Sequence, residues 1–140
     1  MDPTDADVEA VLRAAPAERW DSLAAAVAAV EAAPPGGHVT WAGGERLADG
    51  STSMPYPVYG EEVERLRGAL GGVGAVVVFA WPEWLRGREW DAESVATAPV
   101  ADAARLVTAL LRAERFGEGT IAANLDLLLG AARRLLAWRR

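Results

Sequence analysis

The segment from Ala98 to Thr120 constrains the fold more than any other part of the chain, because it carries every signal of a core helix. Pro99 suits a first turn, where its missing N–H is no loss, and Gly117 or Gly119 supplies the stop. Apolar residues recur between them at steps of three and four and so share one face: Val100, Ala103, Ala104, Val107, Leu110 and Leu111. We predict that this face is buried at the centre of the protein.

The opposite face of the same helix carries arginines. Arg105, Thr108, Arg112 and Arg115 fall together there, and Asp102 can pair with Arg105 one turn further on. We predict that Arg105, Arg112 and Arg115, called here the arginine ridge, face water, a groove or a partner.

Length and composition indicate one soluble domain. A chain of 140 residues can bury a single core without metals or disulfides, and 51% hydrophobic with 24% charged residues is typical of globular proteins. No apolar run approaches the roughly 18 residues of a membrane span, and the acidic start differs from a secretory signal. We therefore expect a cytoplasmic protein that is not inserted in a membrane. A net charge of −6 argues against general nucleic-acid binding.

The residue types that are missing exclude much of enzyme chemistry. The chain has no cysteine, no lysine and one histidine, His38. Thiol nucleophiles, cysteine-based zinc and iron sites, Schiff bases and phosphate-loop lysines are excluded with them. We predict no metal site and no cofactor, and we read His38 as a solvated or core-edge residue.

The remaining pattern is mostly helical. It predicts a weakly held first helix over residues 2–14, a second helix from Pro16 to about Ala33, a third from Tyr59 to about Gly72, and C-terminal helices over 121–125 and 126–138. The fold class is therefore mainly α: one compact domain, 1–140, of four to six helices. Residues 1–15 form a loosely attached N-terminal helix. At most a short two-stranded β element and a long aromatic-rich loop accompany the helices.

The non-helical stretches leave the β element open. Residues 38–41 predict a short strand, and the apolar, β-branched run 73–81 fits a buried strand that could pair with it. The same apolar pattern fits a buried irregular segment equally well. Residues 54–59 read as an extended arm, because two prolines there fix φ and remove two donors. Residues 82–96 read as a loop with one turn of helix.

Two sequence motifs carry a family resemblance. Residues 54–59, MPYPVY, and residues 98–121, APVADAARLVTALLRAERFGEGTI, together resemble an uncharacterised bacterial domain-of-unknown-function family that is common in GC-rich genomes. The resemblance extends over most of the chain from about Trp20. It implies a genuine compact domain and no particular activity.

Aromatic residues in non-helical sequence are the first candidate site. They are Trp41, Tyr56, Tyr59, Trp81, Trp84 and Trp90. One interpretation is that these side chains cover the helical core, since large aromatics bury well and keep a polar tip wet. The other is an aromatic-walled pocket or peptide groove in which Trp and Tyr act as anchors.

Charged residues at the end of the central helix are the second candidate site. A helix that begins near Thr120 would offer free N–H groups to an anion, with Arg115 as a forked donor; the alternative is an ordinary helix cap. Glu114 projects into the apolar stripe, where a carboxylate is costly unless it is paired. It is either paired or at an emerging helix end, or it is buried with a raised pKa and acts as a general base.

These observations favour a non-catalytic binding or protein-interaction module. It would use the aromatic loop and the arginine ridge, with an unknown protein or small molecule as its partner. The alternatives are a small carboxylate-dependent enzyme, a hydrolase or transferase acting through Glu114, and a structural subunit that forms a homodimer through its alanine-rich second helix.

Overall fold

The computed structural model describes residues 1–116 and 119–140. Its β element is one antiparallel pair of strands, β1 (Val39–Ala42) and β2 (Tyr56–Tyr59). The α-helices of these ranges are α1 (Asp5–Ala14), α2 (Ala17–Ala32), α3 (Glu61–Gly72), α4 (Trp81–Leu85), α5 (Ala92–Thr97), α6 (Val100–Ala113), α7 (Thr120–Ala123) and α8 (Leu125–Arg139). Five of them have ten or more residues, which confirms the mainly α fold. None of the helices described is long and apolar enough to cross a membrane.

Helix α6 is the centre of the core, as predicted, but it is buried on more than one face. Nine of its 14 residues are buried, and α1, α4 and α8 pack around it. The predicted water-facing side is therefore wrong at Thr108, which is fully buried. Its hydroxyl lies 2.9 Å from the carbonyl oxygens of Ala75 and Ala104, and it accepts the N–H of Val77 at 2.9 Å.

This hydroxyl explains why residues 73–81, for which the sequence left a buried strand and a buried irregular segment open, form the irregular segment. The segment between α3 and α4 has no regular secondary structure, and Val73 and Ala75 are buried in it while Val78 is 83% exposed. Backbone groups of Ala75 and Val77 bond to the side chain of Thr108 and not to a neighbouring strand. The apolar run therefore marks a buried irregular segment that crosses α6.

The strand predicted at 38–41 is present, but its partner is the proline-containing segment. Val39 pairs with Tyr59 and Trp41 with Pro57. The segment between the strands continues as a ladder, with a bridge between Arg46 and Thr52. Residues 39–59 are thus a β-hairpin, called here the hairpin, where the sequence predicted a loop and an extended arm.

The predicted loop at 82–96 contains most of α4 and most of α5. Asp91 caps α5: its carboxylate accepts the N–H of Ser94 at 2.8 Å, and the Ser94 hydroxyl accepts the N–H of Asp91 at 2.9 Å. An aspartate is among the preferred N-cap residues, so Asp91 was a sequence-readable signal of a helix start. The helix has only six residues, too few to show an apolar period.

Arg105 connects α1 to α6. Its guanidinium donates to Asp5 at 2.7 Å and to Asp102 at 2.8 Å, and its side chain is only 12% exposed. Burial opposes the charged form, but the hydrogen bonds to Asp5 and Asp102 outweigh it and raise the pKa of Arg105. The predicted pairing with Asp102 is present, whereas the predicted exposure of Arg105 to water or a partner is wrong because α1 covers it. Val8 and Leu12 of α1 are buried in the core; that α1 is loosely attached stays a prediction.

Substitution by alanine should change the free energy of unfolding in opposite directions at Gly68 and Gly74. Gly68 lies inside α3, where glycine is unfavourable, and an added Cβ there meets nothing within 4 Å. Gly68→Ala should therefore raise the free energy of unfolding by about 0.5–1 kcal/mol. Gly74 has φ +86°, and an added Cβ would lie 2.6 Å from Val11 Cγ1, so Gly74→Ala should lower it. Urea denaturation of both variants checks this, and a destabilised Gly68→Ala would contradict the packing described.

Removal of the Arg105 charge should loosen α1. In Arg105→Gln, amide hydrogen exchange at Val8 and Leu12 should accelerate roughly tenfold, because a charge-assisted hydrogen bond contributes about 1.5–3 kcal/mol. Arg133→Gln is the matched control, since its ion pair with Glu31 is half exposed and lies on other helices. Equal exchange in both variants would mean that apolar burial alone holds α1.

Candidate binding site at the hairpin

The inner face of the hairpin lies on the segment that follows α6. Val39, Trp41, Pro57 and Tyr59 share this face, because paired residues of two strands point to the same side. The Tyr59 hydroxyl accepts the N–H of Ala122 at 3.1 Å. The ring of Trp41 lies against Gly119, where an added Cβ would be 2.7 Å from the indole. Two of the predicted aromatic residues thus anchor the hairpin to α7.

The outer face of the hairpin is apolar and exposed. Tyr56 and Val58 lie on this face and are 52% and 46% exposed. Met54, just before β2, is 82% exposed. Trp41, although it contacts Gly119, also remains more than half exposed. Large apolar side chains grouped on a surface in this way are typical of interaction sites.

A cavity of about 360 Å³ lies beside β2. Its lining residues come from β2, α3 and the end of α6: Tyr56, Pro57, Val58, Tyr59, Glu64, Arg67 and Glu114. Arg67 lies over the ring of Tyr59, 5.8 Å from its centre, and donates to Glu64 at 3.0 Å. The cavity therefore has an aromatic and aliphatic wall with one ion pair at its side.

Glu114 is buried at the base of this region and bonds to backbone amides. Its side chain is 7% exposed, and its two oxygens accept the N–H groups of Gly119 and Ile121, each at 3.2 Å. Gly119 has φ +74°, a left-handed conformation that suits glycine and turns the chain into α7. The carboxylate is thus paired, as one of the two interpretations required, but its partners are amides and not an arginine.

The same contacts show what lies at the predicted anion site near Thr120. The anion that meets these N–H groups is the protein's own Glu114 carboxylate. Arg115 is exposed. Gly117, proposed as a helix stop, and Glu118 lie outside the described residues, so that part of the prediction stays open.

His38 joins the hairpin to the start of α3. Its Nδ1 lies 3.1 Å from Glu62 Oε1, and its carbonyl accepts the N–H of Gly60 at 2.8 Å. A hydrogen bond from the backbone of Glu62, followed by that from His38, lowers the pKa of the Glu62 carboxyl. His38 is half-buried at the core edge, in agreement with the sequence interpretation.

Two of the other predicted aromatics, Trp84 and Trp90, form a separate cluster. The ring centres of Trp84 and Trp90 are 5.6 Å apart, Phe79 meets Trp84 edge-on at 5.7 Å, and Arg88 lies over Trp84. Trp81 is half-buried at the start of α4. Of the six aromatics, only Trp41, Tyr56 and Tyr59 belong to the hairpin. Among the residues described, His, Asp and Glu form no group of three that could hold a metal ion.

None of the ridge arginines lines the cavity. Arg105 is bound to α1, Arg112 is half-buried in the last turn of α6, and Arg115 is exposed. The cavity instead contains Arg67, which sequence reasoning missed. A glutamate three residues before it does indicate a helical ion pair, but nothing in the sequence places α3 beside the hairpin.

Loss of the Glu114 acceptor should destabilise the fold. Glu114→Ala leaves two buried N–H groups unpaired, so the free energy of unfolding should fall by roughly 2–4 kcal/mol. Glu114→Gln keeps one acceptor oxygen and should fall less. Glu64→Ala is the control, because it removes only a partly exposed ion pair and should change stability by about 0.5 kcal/mol or less. Denaturant unfolding of the three variants decides the matter; equal stability of Glu114→Ala and Glu64→Ala would refute this role.

Comparison with known proteins is consistent with the predicted resemblance. A model of a family of unknown function, DUF6508, matches residues 15–140, so the match starts directly after α1 and includes the hairpin, the cavity and α6. No curated protein and no solved structure shows a significant match. Because the family model covers far more than half of the sequence, the chain belongs to this family of unknown function.

Proposed function

We propose that this protein is a non-catalytic interaction module that binds a protein partner through the outer face of the hairpin and the adjoining cavity. The observation that carries the proposal is the exposure of Met54, Tyr56 and Val58 beside a cavity of about 360 Å³. A Tyr anchor and a flexible Met are side chains that protein interfaces favour.

The cavity suits one apolar side chain of the partner. Its wall is formed by Tyr56, Pro57, Val58 and Tyr59, and Glu64 and Arg67 stand at its side. An apolar anchor that enters such a pocket, with polar groups around it, is the usual arrangement of a binding hot spot. The arginine contribution to this site is Arg67; Arg112 and Arg115 would serve only a partner that also reaches the end of α6.

The contacts of Glu114 favour binding over carboxylate catalysis. Both of its oxygens accept backbone N–H groups, which ties the carboxylate to the turn before α7. A general base must instead lie within hydrogen-bond reach of the proton that it removes from a substrate. The role that these contacts support is structural.

Site-specific crosslinking tests the proposal. A photoreactive phenylalanine analogue in place of Tyr56 should capture a discrete protein in the native host, identified by mass spectrometry. The same analogue in place of Val78 is the control, because Val78 is 83% exposed but lies in the segment between α3 and α4. Binding of the captured protein should then fall at least about tenfold in Tyr56→Ser/Val58→Ser, since hot-spot truncation costs 2 kcal/mol or more. Equal capture from both positions, or unchanged affinity of the double variant, would refute the proposed surface.

A further inference from the structure

We propose that β1 of this protein pairs with β1 of a second copy, across a two-fold axis at Thr40, to form a continuous four-stranded antiparallel sheet. This goes beyond the proposed function, because it uses the backbone groups at the edge of the hairpin and not the apolar side chains of Tyr56 and Val58. It also differs from a dimer through the alanine-rich helix α2.

The hydrogen-bond pattern of the hairpin identifies the edge. Gly60 donates its N–H to the His38 carbonyl, so this pair is hydrogen-bonded. Bonded and non-bonded pairs alternate in an antiparallel ladder, which makes Thr40 and Val58 the next bonded pair and leaves Trp41 opposite Pro57 as a non-bonded pair. Pro57 fits there because it has no N–H to donate. The N–H and C=O groups of Val39 and Trp41 therefore point away from β2.

The two edges of the hairpin differ in what they offer a further strand. The β2 edge lacks a donor at Pro57 and borders the cavity beside α3. The β1 edge has neither proline nor charge, which are the devices that usually block a strand edge. Within residues 1–116 and 119–140, no hydrogen bond to the backbone of Val39 or Trp41 beyond the hairpin ladder is present. An extended backbone is the group that complements such an edge.

A second β1 complements this edge in both backbone and side chains. When Thr40 lies opposite Thr40 of the partner subunit, Val39 lies opposite Trp41 of the partner subunit, and Trp41 lies opposite Val39 of the partner subunit. Each of these two pairs exchanges two backbone hydrogen bonds, about four in all. Threonine opposite threonine and an aromatic opposite a β-branched residue are favourable cross-strand pairs. The strand is uncharged, so the net charge of −6 carried by the rest of the chain is not concentrated at the contact. Trp41 is 58% exposed and has surface left to bury.

Charge swapping at Thr40 tests this register with the full-length protein. Sedimentation velocity over a concentration series should show a dimer for the wild type and for Thr40→Val. Thr40→Lys and Thr40→Glu should each weaken dimerisation by about tenfold or more, because like charges would lie directly opposite each other. An equimolar mixture of the two charged variants should restore the dimer. Because Thr40 is exposed, each variant should fold, and circular dichroism checks this.

The outcomes separate this proposal from the proposed function. A monomeric wild type at all concentrations, charged variants that dimerise as well as wild type, or a mixture that does not restore the dimer would overturn the β1–β1 pairing. Tyr56→Ser/Val58→Ser should still dimerise, because Tyr56 and Val58 lie on β2. Loss of partner binding in that variant with the dimer intact would therefore test the outer face alone.

Discussion

The structure depends on the burial of α6 on more than one face. A helix with nine of 14 residues buried needs apolar neighbours around most of its circumference, and α1, α4 and α8 supply them. The cost of this arrangement falls on its polar side chains, since a buried polar group must find a partner. Arg105, Thr108 and, just past the helix end, Glu114 each bind a different peripheral segment.

Three polar residues of α6 and its end thus link the core helix to three peripheral segments. Arg105 binds Asp5 of α1, Thr108 binds the irregular segment at Ala75 and Val77, and Glu114, just past the helix end, binds the turn before α7. Segments that lack a regular ladder are held because α6 satisfies their backbone or charge. Loss of any one of these contacts is therefore expected to loosen one peripheral segment while the helical core persists.

The position of the hairpin depends on these contacts at the end of α6. Glu114 shapes the turn that presents Gly119 to Trp41 and the amide of Ala122 to Tyr59, so the inner face of the hairpin is fixed by the end of α6. Alternation along the strands then forces Tyr56 and Val58 outward. A single register accordingly produces both an anchored face and an apolar surface, and it turns the backbone N–H and C=O groups of Val39 and Trp41 away from β2.

Several of these features were readable from residue pattern alone. The 3.6-residue period specified the long helices and placed α6 in the core, because burial follows periodicity directly. The resemblance to a family of unknown function is confirmed by the match over residues 15–140. Proline spacing correctly indicated an extended conformation at 54–59. The sequence left the conformation of residues 73–81 open, because a buried irregular segment and a buried strand have the same apolar pattern. Tertiary structure alone decided which polar partners meet: Thr108 with Val77, Glu114 with Gly119, and Arg67 with Tyr59. Those contacts depend on how distant segments pack in space, which local periodicity does not encode.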